Sequence, residues 1–186
     1  MTVRLIVLLI VSSVLAVFGQ DQLKPATYYL GLEQAPIRGR AIGIIDGHTI
    51  KVLSADKEQI LVRIAFIDAP EKGQPFGERA KEALSKLVFD KEVELSPHTI
   101  DRYGRLVARV FVSNQDVGLE LLKAGLCWVY EKYITRATLA IEASYRAAQA
   151  LAESDRLGLW QDPAPVPPWE WRKGEKEPSN IAQKTI

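Results

Sequence analysis

Apolar and polar residues alternate along Arg38–Asp46 ("RGRAIGIID"), Thr49–Leu53 ("TIKVL") and Gln59–Asp68 ("QILVRIAFID"). A period of two sends successive side chains to opposite faces, so each run predicts a β-strand. Asp46-Gly47 predicts a hairpin tip between the first two runs, and the polar "SADKEQ" predicts a second hairpin. The period then changes. Over "PFGERAKEALSKLVFD", Ala80, Ala83, Leu84, Leu87 and Val88 follow helical spacing, which predicts a helix with one buried stripe. "KEVELSP" and "RLVARVFVSNQ" read as two more strands on either side of the polar loop "HTIDRYG". Asp116 is placed to cap a short helix over "VGLELLKAG", which Gly125 ends. An alanine-rich helix is predicted from about Arg136 to Leu157, stopped by Gly158. About five short strands and three helices predict an α+β fold. A small antiparallel barrel is the most economical packing, because closure removes strand edges.

The two ends read differently. The run Leu5–Phe18 carries no charge, follows the single early cation Arg4 and is shorter than the ~20 residues that cross a bilayer. Small residues follow at plausible cleavage positions. Residues 1–19 are therefore expected to be a secretory signal peptide, with an uncleaved anchor as the lesser alternative. Residues 20–37 are expected to be a linker, 38–162 the folded domain, and 163–186 a Pro/Trp-containing tail that becomes polar. The expected product is secreted or periplasmic, monomeric and without stable membrane association.

Composition narrows the function classes. With 186 residues, 47% hydrophobic and 25% charged, the chain suits one globular domain with extensions. Setting aside residues 1–20 removes one cation and leaves Lys+Arg equal to Asp+Glu. Any nucleic-acid binding must use a local basic site rather than a global field. The single cysteine, Cys127, excludes an intramolecular disulfide and sits in the apolar run "GLCWVY" as a buried small hydrophobe.

Two stretches break the pattern of a plain β core. "RIAFIDAPE" places Arg63 within an apolar strand, Asp68 at its close and Glu71 beyond it. A buried cation needs a partner or a ligand. "DRYGR" presents Arg102 and Arg105 on a tight loop between strands. Carboxylates close to paired guanidiniums suit phosphodiester cleavage. A carboxylate accepts the proton of an attacking water, arginines match phosphate oxygens, and a divalent cation held by acids would polarise the same phosphate. Taken singly, each has a plain reading: a structural ion pair, a first-turn acid and a solvated hairpin loop.

The order "IDGHT … VRIAFIDAPE … GERA … DRYGRLVARVFV … GLELLKAGLCWVY … GLW" resembles the thermonuclease, or staphylococcal-nuclease-like, family from about Ala41 to Trp160. The resemblance implies a five-stranded OB barrel with about three helices. It also implies metal-assisted endonuclease cleavage of DNA and RNA, typically with Ca²⁺ and leaving 3′-phosphates. Carried over by position, Glu71 is the general base, while Arg63 and Arg105 stabilise the phosphate and the leaving-group side. Asp68 is a metal ligand and Ala69 offers its backbone carbonyl. Arg102, Tyr103 and Tyr133 stand at nucleotide-contacting positions.

His48 departs from this pattern. The family turn normally reads DGDT, and its second aspartate is a direct Ca²⁺ ligand. Ca²⁺ prefers six to eight oxygen ligands, whereas neutral imidazole suits Zn²⁺, Cu²⁺, Ni²⁺ or Fe. Below pH ~6.5 an ordinary imidazole is protonated and repels cations. Four readings stay open: weaker Ca²⁺ binding, a softer metal, direct phosphate contact by His48, or a degenerate site. The degenerate case is an OB module that binds single-stranded nucleic acid through a basic groove, served by Arg102, and stacking aromatics such as Tyr103, Trp128 and Tyr130. Asp46, in a DG turn, is expected to bond its own backbone, and His98 to lie on the surface of the loop.

Overall fold

The structure, a computed structural model, describes residues 36–133 and 138–174. β1 (Ile37–Ile44), β2 (Thr49–Ser54) and β3 (Gln59–Ile64) form two successive antiparallel hairpins, in the register Ile44↔Ile50 and Thr49↔Arg63. A bulge between Ala41 and Gly43 adds curvature to β1, which closure of a small barrel requires. Ala65 and Phe66 then make a tight turn, with Phe66 at φ +63°, and fold β4 (Ile67–Asp68) back beside the end of β3. A buried phenylalanine in the left-handed region is costly and holds only where packing and hydrogen bonding fix it. Here the Phe66 ring is buried and its carbonyl accepts the Tyr130 amide at 2.7 Å.

Helix α1 (Gly77–Val88) buries Ala80, Leu84 and Val88, with Ala83 and Leu87 half-buried beside them, as the helical period requires. β5 (Glu92–Ile100) and β6 (Leu106–Val112) pair antiparallel, and β7 (Gln115–Asp116) turns back on β6. Asp116 caps α2 (Val117–Lys123), its carboxylate accepting the Gly118 and Leu119 amides, and the helix ends before Gly125. β8 (Trp128–Val129) pairs with β4, and α3 (Leu139–Ser154) and the one-turn α4 (Pro168–Trp171) complete the order.

The sheet order β3-β2-β1-β5-β6 closes because β3 also pairs with β6. The chain is thus an α+β fold built on a closed five-stranded barrel, with Ile50, Val52, Val62, Ile64, Leu95, Leu106 and Val110 fully buried.

Two details differ from the sequence expectation. The closing pair β3–β6 is parallel, Val62↔Leu106 to Ile64↔Ala108, so the barrel is mixed rather than antiparallel. Local alternation identifies strands but carries no information on which distant edges meet. Second, β5 continues through His98, Thr99 and Ile100, with a bulge between Pro97 and Thr99, where proline has no N–H to give the ladder. The loop is only Asp101–Arg105, and His98 sets its ring edge-on against Phe66 at 5.1 Å. The expected signal peptide, all of the linker but its last two residues, and the polar end of the tail lie outside the described residues.

Candidate active site

Five short segments meet at one end of the barrel and enclose a cavity of about 300 Å³. Its wall contains Asp46, His48, Arg63, Asp68, Glu71, Asp101, Arg102, Tyr103, Arg105, Tyr130, Lys132 and Arg172.

The Ala65–Phe66 turn brings Arg63 onto Asp68. Arg63 Nη2 donates to Asp68 Oδ1 at 3.2 Å and Nη1 to the Ile64 carbonyl at 3.1 Å, with the guanidinium 5.0 Å from the Tyr130 ring centre. Arg63 is 4% exposed and Asp68 0%. A pair this dry is set by its partners, because neither charge has water to fall back on.

Arg105 is aimed by Asp101, four residues earlier. Asp101 Oδ2 accepts the Arg105 Nε–H at 2.7 Å, and Oδ1 accepts the Tyr103 and Arg105 amides at 2.9 and 3.0 Å. Burial alone would raise the Asp101 pKa, but the amide and guanidinium donors outweigh it and hold the carboxyl below its ordinary value. Arg105 Nη1 also donates to Thr49 Oγ1 at 3.2 Å, which ties the loop to the start of β2. Arg102 and Tyr103 extend outward: Arg102 Nη2 donates to the Tyr103 hydroxyl at 2.6 Å, and Tyr103 is 67% exposed.

His48 is buried under the same wall. Gly47 before it has no room for a side chain, since a Cβ would stand 2.7 Å from the Ala69 Cβ and 2.8 Å from the Ala80 Cβ. Asp46 bonds its own turn as expected, its Oδ1 accepting the His48 amide at 2.9 Å. His48 Nδ1 accepts the Ala69 amide at 3.2 Å and lies 3.6 Å from Asp68 Oδ1. The accepted hydrogen bond fixes the neutral tautomer protonated on Nε2. Burial first, then the Arg63 charge, lowers its pKa to about 3. The imidazole is therefore neutral far below the pH ~6.5 expected from its ordinary value. A proton here would sit in a dry site beside three guanidiniums.

Glu71 follows β4 on a loop anchored by Gln74, whose Oε1 accepts the Glu71 amide at 2.9 Å. Its carboxylate meets Arg172, which reaches in from the C-terminal segment. Arg172 Nη1 donates to Glu71 Oε1, and Nη2 donates to Asp68 Oδ2 at 2.7 Å.

The structure thus brings Arg63, Asp68, Glu71, Arg102, Tyr103, Arg105 and His48 to one cavity. Ala69 lies buried beside His48, and Tyr133 ends a short 3-10 turn, its side chain outside the described residues. Sequence reasoning missed Asp101, Thr49, Lys132 and Arg172. The first had a signal in the Asp-to-Arg spacing of "DRYGR"; Arg172 had none, since it lies 104 residues from Asp68.

The donors do not fit a divalent cation as the C-terminal segment sits. Both Asp68 oxygens accept from guanidiniums, Glu71 Oε1 faces Arg172, and His48 Nδ1 holds the Ala69 amide. Among the described residues no group of three or more His, Cys, Asp or Glu side chains is arranged to hold a metal ion.

Comparison with known proteins agrees with this geometry. A family described as "Staphylococcal nuclease homologue" matches residues 61–162. An "Uncharacterized endonuclease" of Haemophilus influenzae is 40% identical over 137 residues, 74% of each chain. A "Micrococcal nuclease" of Shigella flexneri is 37% identical over 155 residues, 78% of this chain and 86% of its own length. "Protein ParB" of Escherichia coli is 38% identical over 148 residues, 75% of this chain and 81% of its own.

Proposed function

The chain belongs to the staphylococcal nuclease homologue family, and on that premise we propose that it is an exported endonuclease hydrolysing phosphodiester bonds of DNA and RNA. The observation that carries the reading is the convergence of Arg63, Glu71 and Arg105, from three separate segments, on a single cavity.

In this reading a phosphodiester enters between Arg63 and Arg105. The Glu71 carboxylate takes a proton from a water whose oxygen attacks phosphorus. The bond to the 5′-oxygen breaks, the electron pair leaves with that oxygen, and a 3′-phosphate remains. Charge grows on the phosphoryl oxygens in the five-coordinate transition state, where arginine donors fixed beforehand stabilise it most. Arg63 and Arg105 are fixed in this way, by Asp68 and by Asp101 with Thr49. Arg102, Tyr103 and Lys132 at the mouth suit the sugar-phosphate chain and a stacked base. Export rests on the leader expected at residues 1–19.

Family members generally depend on a divalent metal. Here the cationic charge beside the two acids comes from arginine side chains.

Incubation of the purified chain with plasmid, single-stranded DNA and RNA tests the reading. Cleavage is expected, and Glu71→Gln should lower kcat by about 10²- to 10⁴-fold, the usual contribution of a positioned general base. Salt-sensitive binding without turnover under all metal conditions would instead identify a non-catalytic OB module.

A further inference from the structure

The C-terminal segment is keyed to the site at several points. Gln74, which holds the Glu71 amide, also donates through Nε2 to the Val166 carbonyl at 2.6 Å, so one buried side chain ties the Glu71 loop to the tail. Pro165, Pro167 and Pro168 restrict the backbone there, and Pro168 opens α4. The Trp169 ring stacks on Tyr130 at 6.1 Å and meets Trp128 edge-on at 6.5 Å. Trp171 lines a small cavity together with Gln74, Phe76 and Leu159. A stiff segment with two indole anchors ends one residue later, at Arg172.

The charges are complementary. Asp68 and Glu71 bring two negative charges to one wall, and Arg63 pairs with the first. Arg172 bridges both acids through separate nitrogens, with its side chain 41% exposed toward solvent. It uses two of the five N–H donors of a guanidinium, which leaves others for an incoming phosphate.

We propose that Arg172 is a third active-site arginine, which balances Asp68 and Glu71 in place of a divalent cation and offers its remaining donors to the substrate phosphate. The inference rests on the nuclease reading and adds to it that catalysis proceeds without added metal. Arginine supplies one delocalised charge and directional donors where a metal would supply two charges and open coordination positions. The site therefore favours phosphate binding over exchange of a bound ion.

The test compares wild type, Arg172→Met and Arg172→Lys, each as the full chain. Thermal unfolding with chelator and with millimolar Ca²⁺ or Mn²⁺ reads metal binding without needing turnover. Wild type is expected to show no metal-dependent rise in Tm. Arg172→Met leaves an uncompensated carboxylate and should gain such a rise, with Arg172→Lys between them. Cleavage assays read the second half. Wild type should cleave equally well in chelator, whereas Arg172→Met in chelator should lose about 100-fold in kcat, the scale for losing one transition-state donor. Added Ca²⁺ or Mn²⁺ should restore part of that loss, which a merely structural defect would not allow.

A wild-type enzyme silenced by chelator and stabilised by Ca²⁺ overturns the inference and leaves the nuclease reading intact. A wild type inactive with every metal overturns the nuclease reading. The Tm comparison then still decides whether Arg172 stands in for a cation.

Discussion

Arg63 and Asp68 form a buried ion pair, Nη2 to Oδ1 at 3.2 Å, across the two-residue turn that joins β3 to β4. The pair holds part of the cavity wall in shape. Removing one partner of a buried pair strands the other charge, and this typically costs about 3–5 kcal/mol. Asp68→Ala is expected to lower stability by that order, measured by urea unfolding. Arg63→Lys, which keeps a charge but loses the fork, should cost less stability while still removing most activity. Asp68→Ala unfolding at the wild-type midpoint would mean that the pair contributes nothing to the fold.

In the proposed reaction Asp101 is a positioning residue that aims Arg105. Asp101→Asn removes the charge-assisted acceptor for Arg105 Nε and loosens the Tyr-Gly loop. Misplacement of a catalytic group by an ångström costs about 100-fold. kcat should therefore fall by up to that factor, with Tm nearly unchanged because the loop lies outside the core. A collapse of Tm with no kinetic defect in the surviving folded protein would assign Asp101 to stability instead.

His48 gives the fold an acid sensitivity with a defined window. Its folded pKa is about 3, below the ordinary value near 6.5. Above pH ~6.5 both folded and unfolded states carry a neutral ring, so the group adds no pH dependence. As pH falls below that, the unfolded chain takes up a proton that the folded state refuses. Stability then drops by about 1.4 kcal/mol per pH unit until the folded pKa is reached. His48→Gln should remove this slope. The comparison is the pH dependence of urea midpoints for wild type and variant between neutral pH and pH ~5. Identical slopes would mean that the imidazole is solvated rather than buried.

Asp116 holds together a second polar cluster, away from the cavity. It caps α2, pairs with Arg109 at 2.7 Å and accepts the Tyr145 hydroxyl at 2.8 Å. Tyr145→Phe removes one hydrogen bond and leaves Asp116 its other donors, so the expected loss is about 1 kcal/mol. Asp116→Ala removes all of them and should cost several times more. Nuclease activity should survive Tyr145→Phe.

The helices, strands and most turns follow from residue periodicity, because burial of one face is a local property of the sequence. Ala80, Leu84 and Val88 needed only their spacing, and Asp116 only its place before a helical run. Arg63, Glu71 and Arg105 stood out because charge in or beside an apolar strand is expensive and therefore informative. Asp46 was read correctly for the same local reason, since its oxygen bonds the amide two residues on.

Three things were decided only by tertiary structure. The parallel β3–β6 closure depends on which distant edges meet. The neutrality of His48 depends on burial beside Ala69 and Arg63, which no window of sequence reports. The seating of Arg172 on Asp68 and Glu71 depends on a tail pinned by Trp169, Trp171 and Gln74. The physical reason is common to all three. Periodicity and propensity act over a few residues along the chain, whereas desolvation and charge pairing act over a few ångströms in space, whatever the separation in sequence.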